Sequence, residues 1–198
     1  MASAKKSTLD RRVAVRAILA DRGDMLLVTG LGSSCYDAGT LDHPNNYYLW
    51  GGMGGAAMIG LGLALAQPKR RVLVITGDGE MLMGLGSLAT IGAEKVRNLS
   101  ICVIDNELYS ETGMQPTHTS RGVDLAGVAQ ATGFAATGMI STLPELKTWI
   151  PKLYATAGPV FLDIKVNAAR YPLSIRLRDG SHIKNRFRES LLGAKAYD

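Results

Sequence analysis

An aspartate held between two glycines, Gly77-Asp78-Gly79, follows the apolar run RVLVI at 71–75. An amide, Asn106, follows a second apolar run, LSICVID at 99–105, and lies 28 positions after Asp78. Carboxylate and amide oxygens are hard donors. If the two runs are neighbouring strands, both donors face one spot beyond the sheet edge and suit Mg²⁺, which commonly bridges a protein carboxylate to phosphate. Gly77 and Gly79 allow close backbone approach. A helix beginning near Glu80 offers unpaired N–H groups to a diphosphate. Asp-Gly is also ordinary turn chemistry, so the motif takes its meaning from the elements that position it.

Those elements follow from the hydrophobic pattern. An amphipathic segment over about 8–21 leads to a short strand at 25–30 and a turn-rich loop at 31–48. GGMGGAAMIGLGLALAQ at 51–67 reads as a loop feeding a helix packed through its small residues, with Pro68 just beyond. A strand at 70–76, a helix at 81–96 and a strand at 99–105 follow, then a loop over 106–122 and a helix over 123–133. The short apolar piece 134–140 precedes a helix from Leu143, capped by Ser141 or Thr142 with Glu145 three residues after Thr142. Pro151 is expected to kink or end that helix. A strand at 159–166 and a last helix at 183–193 close the chain. Strands without polar alternation, separated by helices, predict an α/β fold, a parallel sheet with helices on both faces. Ligands of such sheets bind at the carboxyl ends of strands, where ITGDGE and VIDNELYSETG both fall.

Bulk properties narrow the class. A chain of 198 residues, 46% hydrophobic and 20% charged, is expected to form one globular domain over 1–198, with a basic tail from about 170 to 198. No 18-residue window is free of polar groups, which argues against a membrane span. The N-terminus lacks the apolar core of a signal peptide. Cys35 and Cys102 sit in apolar surroundings and are expected to be buried and reduced, consistent with the cytoplasm. The net charge of +5 is concentrated at the ends, in Lys5, Lys6, Arg11, Arg12 and Arg16, then Arg176, Arg178, Lys184, Arg186 and Arg188. Aromatics do not interleave with these cations, so nucleic acid is not an expected partner. Solvated helix faces or a subunit contact are the expected roles, with the tail as an interface or lid.

The Gly-Asp-Gly, followed by 26 residues and then Asn, resembles the thiamine-diphosphate binding motif, and LWGGMGGAAMIGLGLALA lies upstream where that family places a Gly-x-Met/Ile-Gly segment. In detail, GGMG, GDGEMLMGLGSLATI and DNELYSETGMQPT resemble the beta subunit of sulfopyruvate decarboxylase and the related phosphonopyruvate decarboxylases. The resemblance runs from about Leu26 to Asp163 and covers the diphosphate-binding half of such enzymes. It implies Mg²⁺ held by the Asp78 and Asn106 side chains and the Leu108 carbonyl. It implies amides of Gly79, Glu80, Gly32 and Ser33 on the diphosphate, with Gly77, Tyr109 and Ser110 completing the cofactor-binding set. Met53 would be the apolar wedge that bends the cofactor, and the Gly51 carbonyl would accept a hydrogen bond from its pyrimidine amino group. The implied reaction is decarboxylation of a small anionic 2-oxo acid to an aldehyde, the thiazolium serving as electron sink. The family's essential glutamate lies on a separate pyrimidine-binding domain, so the resemblance implies a partner alpha subunit in an α2β2 or larger assembly.

Other readings stay open at this level. An ordinary gap-filling core residue is the other reading of Met53, though its place between Gly52 and Gly54 favours the wedge, and solvated charges are the other reading of Glu80 and Glu111. His118, Thr112 and Arg121 are substrate candidates, and His43 is another loop histidine near a possible entrance. An acetolactate-synthase-type carboligase would use the same cofactor chemistry. GMGGAA at 52–57 also fits the Gly-x-Gly-x-x-Ala fingerprint of an NAD-dependent oxidoreductase, which would leave Asn106 without a role.

Overall fold

The computed structural model describes residues 7–49, 51–172 and 178–198. Helix α1 (Arg11–Leu19) is capped by Asp10, whose carboxylate accepts the Arg12 and Val13 amides. Strand β1 (Leu26–Thr29) leads into α2 (Ser33–Gly39), and strand β2 (Asn46–Tyr48) is followed by α3 (Ala56–Ala66). Strand β3 (Val72–Gly77) runs directly into α4 (Asp78–Met83), then come α5 (Ser87–Glu94) and β4 (Leu99–Asp105). A small hairpin of β5 (Leu108–Tyr109) and β6 (Gln115–Pro116) and a 3₁₀ turn at His118–Arg121 follow. The chain continues through α6 (Leu125–Ala131), β7 (Ala136–Ile140), α7 (Leu143–Ala155), β8 (Val160–Lys165) and α8 (Gly180–Leu192).

Six strands form one sheet in the order β2-β1-β3-β4-β8-β7, every neighbouring pair parallel. Alternate residues of each strand enter opposite apolar layers. Leu73, Ile75, Cys102 and Leu162 pack with residues of α1, α2 and α7. Val72, Val74, Ile101, Val103 and Phe161 pack with α3, α5 and α6 on the other side. Two buried faces explain why the strands carry no polar alternation, and the expected α/β class is the one observed. The strand order reverses at β1, where the chain goes outward to β2 and returns to β3 on the inner side. Helix α2 therefore covers one face and α3 and α5 the other, and the loops after β1 and β3 part at the carboxyl end.

Several local expectations are corrected. The loop 31–48 contains α2 and the edge strand β2, whose tyrosines and asparagine gave no apolar run. The helix expected over 81–96 is two, interrupted where Gly84 meets Gly54; a methyl on Gly84 would stand 2.4 Å from the Gly54 carbonyl oxygen. Pro151 does not end α7. Pro151 and Lys147, whose carbonyl loses its donor, are both exposed, so water can satisfy that carbonyl. Thr142 caps α7 with Glu145 in the reciprocal arrangement expected. Within the basic tail, α8 packs on the outer strand of its own sheet: Phe187 meets the Tyr47 ring at 5.5 Å and Arg186 binds Asp42 at 2.8 Å. Arg11 and Arg12 are no solvated face, since both hold the buried Asp37. Lys5, Lys6 and Arg176 lie outside the described residues. Both cysteines are free and buried. Among the described residues no helix is long and apolar enough to cross a membrane.

Candidate functional site

Register brings Asp78 and Asn106 together. Gly77 pairs with Ile104 across β3 and β4, so Asp78 stands one residue and Asn106 two residues beyond that rung. Both open on a crevice of about 370 Å³ at the carboxyl end of the sheet. Gly32 and Ser33 line it after β1, and Gly77, Asp78, Gly79 and Glu80 after β3. Asn106, Leu108, Tyr109 and Ser110 line it after β4, with Glu111 and Thr112 beyond them and Met53 from the segment before α3.

Asp78 is 2% exposed. Its Oδ2 accepts the Thr117 hydroxyl at 2.6 Å, with the Thr119 hydroxyl at 3.4 Å. The Thr119 hydroxyl donates instead to Asp105 Oδ1, at 2.9 Å, and Asp105 Oδ2 accepts from the Lys165 ammonium at 2.6 Å. Burial, and next the charge of Asp105, push the Asp78 carboxyl up to about 7, against the Thr117 hydroxyl and the Asp78 and Gly79 amides. A cation relieves a buried carboxylate held at that cost. Among the described residues no cluster of three or more His, Cys, Asp or Glu forms a metal cage. One carboxylate with a neighbouring amide and carbonyl suits Mg²⁺, which keeps positions for water and phosphate.

Part of the lining is backbone. A methyl on Gly79 would stand 2.5 Å from the Tyr109 ring, and one on Gly32, at φ +69°, would stand 2.7 Å from the Glu111 carboxylate. Helices α2 and α4 both begin at the lining, so first-turn amides that make no intrahelical bond border the crevice. These features fit a diphosphate with its cation.

Glu80 is no solvated charge. Its Oε2 accepts the Leu31 amide at 2.9 Å and the Thr76 hydroxyl at 2.8 Å, which fastens the loop after β1 to the end of β3. Burial raises its pKa, and those donors oppose the rise. Asn106 Oδ1 accepts the Leu108 amide at 3.0 Å, while Nδ2 donates to Ser110 Oγ at 2.9 Å. Met53 is half-buried between Gly52 at φ +78° and Gly54 at φ +85°.

Four candidates are not brought to the crevice. Gly51 is exposed outside its lining, and His118 and Arg121 are exposed on the 3₁₀ turn. His43 uses Nδ1 to accept the Asn45 amide at the start of β2. Conversely, Thr117, Thr119, Asp105 and Arg11 were missed. Asp105 was visible as an acid ending a buried strand, and the threonines flank His118 in the same segment. Arg11, which lines the crevice while binding Asp37 at 2.7 Å, gave no signal across the 26 intervening positions.

Residues 30–164 match the family model described as thiamine pyrophosphate enzyme, C-terminal TPP binding domain. The sulfopyruvate decarboxylase subunit beta of Methanothermobacter thermautotrophicus is 36% identical over 187 residues, covering 94% of this chain and 97% of that one. A phosphonopyruvate decarboxylase of Streptomyces viridochromogenes is 41% identical over 144 residues, 72% of this chain but only 36% of that one. Among solved structures, the benzoylformate decarboxylase of Polynucleobacter necessarius aligns with a TM-score of 0.70 at 22% identity, over 83% of this chain and 34% of that one. That likeness concerns the fold.

Proposed function

This chain belongs to the thiamine pyrophosphate enzyme family, as its C-terminal TPP binding domain, and from that premise we propose that residues 1–198 form the diphosphate-binding subunit of a thiamine-diphosphate-dependent 2-oxo acid decarboxylase. The observation that carries the reading is the crevice where Asp78 and Asn106 meet backbone from three strand ends. Similarity to a subunit beta over nearly its whole length supports a sulfopyruvate-like substrate and a second, pyrimidine-binding subunit. The assembly is α2β2 or larger. Two buried free thiols accord with the cytoplasm.

Asp78 and Asn106, with the Leu108 carbonyl, would hold Mg²⁺. The Gly32, Ser33, Gly79 and Glu80 amides would take the diphosphate oxygens, with Gly77, Tyr109 and Ser110 as wall. Met53 would press on the bound cofactor from its glycine-flanked turn, and Thr112 is the substrate candidate on the rim. Gly51, His118 and Arg121 carry no role in this reading. When bound, thiamine diphosphate supplies the thiazolium that accepts the electron pair as CO₂ leaves. The chain's own task is to neutralise the diphosphate, fix its position and exclude water.

Native mass spectrometry of the protein from its own cells tests this. A complex with a second kind of chain, carrying the mass of thiamine diphosphate and Mg²⁺ and releasing CO₂ from sulfopyruvate or phosphonopyruvate, is the expected result. A homo-oligomer without the cofactor refutes the reading.

A further inference from the structure

Asp78 reaches the crevice on a side chain that rotates about two bonds, and Asn106 on a loop that has left the sheet. Something must hold both before a cation arrives, and one residue touches Asp78 and the carbonyl of Glu107, next to Asn106. The Thr117 hydroxyl donates to Asp78 Oδ2 at 2.6 Å, and the Thr117 amide donates to the Glu107 carbonyl at 2.9 Å. Glu107 sits between Asn106 and Leu108 at φ +65°, a left-handed conformation that non-glycine residues adopt at a cost. The Glu107 amide is held in turn by Asp105 Oδ1 at 2.8 Å. Both backbone polar groups of this strained residue are therefore tied down, on one side by Asp105 and on the other by Thr117.

Burial and a close neighbouring hydroxyl confine Thr117 itself. Its hydroxyl lies 2.9 Å from that of Thr119, and Thr119 reaches Asp105 Oδ1 at 2.9 Å. Thr117 is 1% exposed and Thr119 5%. Both hydroxyls that approach Asp78 lie on Oδ2, so Oδ1 is the oxygen without a side-chain donor among the described residues. The same residue, through its backbone, sets the turn that carries Asn106 and Leu108.

We infer that Thr117 is a positioning residue for the divalent cation: its hydroxyl fixes which Asp78 oxygen faces the crevice, and its amide fixes the Asn106–Leu108 turn opposite. This rests on the reading of Asp78 and Asn106 as cation ligands. The requirement is for a hydroxyl at 117, not for bulk. Thr117→Val keeps the shape and removes the donor, and Thr117→Ser keeps the donor and removes a methyl.

The test is Mn²⁺ titration, followed by electron paramagnetic resonance in the presence of thiamine diphosphate, on the protein as purified with any partner that accompanies it. Thr117→Val is expected to weaken Mn²⁺ binding about 10–100-fold, the usual loss when a hydrogen bond that supports a metal ligand is removed. Thr117→Ser should stay within about threefold of the unaltered protein, since it keeps that bond. If Thr117→Val does not fold, Thr117→Ala carries the same expectation. Unaltered affinity in the valine or alanine variant, or equal loss in valine and serine variants, overturns the inference while leaving the site reading intact. No Mn²⁺ binding by the unaltered protein overturns the site reading, and this inference with it.

Discussion

Replacing Asp163 by asparagine should make the protein's stability less sensitive to alkaline pH. Asp163 lies in the middle of β8, opposite Val103 of β4 and Met139 of β7. It is fully buried, and neither carboxylate oxygen has a hydrogen-bond partner among the described residues. Burial, and next the charge of Asp105, push its carboxyl up to about 8; Lys165 opposes this, while Asp78 and Asp124 add to it. The sign follows directly. The folded chain keeps a proton that the unfolded chain releases near its ordinary 3.8, so stability is greatest in acid and falls as pH rises from about 4 towards about 8. At about 1.4 kcal/mol for each tenfold difference in proton affinity, the full interval sets a ceiling of about 6 kcal/mol. Relaxation and water entry leave a few kcal/mol of that. Between pH 5 and pH 8 the Asp163→Asn variant should gain on the unaltered protein by about 2–4 kcal/mol, or roughly 4–16 °C in melting temperature for a chain of this size. The assay is thermal unfolding by circular dichroism across that range, without cofactor or divalent cations so that Asp78 carries no metal. Taking the difference between the two proteins cancels the titrating groups that do not interact with Asp163. A difference that stays flat, or that shrinks as pH rises, refutes the reasoning.

Other perturbations give outcomes of different kinds. Asp78→Ala should leave the melting temperature largely intact while Mg²⁺-dependent thiamine diphosphate binding, followed by calorimetry, drops by more than the about 10–100-fold lost with a supporting hydrogen bond alone; unchanged affinity would remove Asp78 from the cation site. Gly84→Ala forces a methyl to 2.4 Å from the Gly54 carbonyl oxygen, so denaturant unfolding should show a loss of about 1–3 kcal/mol. Arg11→Met leaves the buried Asp37 with Arg12 alone; a loss of about 3 kcal/mol is expected by the same measurement, and a neutral result would show the pair to be dispensable. Met53→Ala should bind thiamine diphosphate normally by calorimetry but turn over more slowly in the complete enzyme, and full turnover would dismiss the wedge.

Much of this protein was legible in its sequence because both the fold and the motif are local. Strand runs such as RVLVI and LSICVID announce burial on two faces, and two-faced burial leaves a covered parallel sheet as the solution. Gly77-Asp78-Gly79 and Asn106 each sit within a residue or two of a strand end, so placing the strands placed the side chains. Thr142 and Glu145 form a cap for the same reason, their partners being three residues apart. What the sequence could not disclose depends on contacts between distant segments. Helix α2 has polar residues at its buried positions, and it is held by Arg11 and Arg12, 25 or 26 positions away from Asp37. The break between α4 and α5 falls where Gly84 meets the Gly54 backbone, 30 positions earlier. A solvated charge stays an open reading of the Glu80 side chain until the Leu31 amide, 49 positions distant, is placed against it. Thr117 is an unremarkable loop residue until the chain folds back to set its hydroxyl on Asp78, 39 positions earlier. Patterns of polarity report which residues are buried, because burial follows from a residue and its neighbours. The partner that satisfies each buried polar group is chosen by three-dimensional proximity, and only the folded chain decides that.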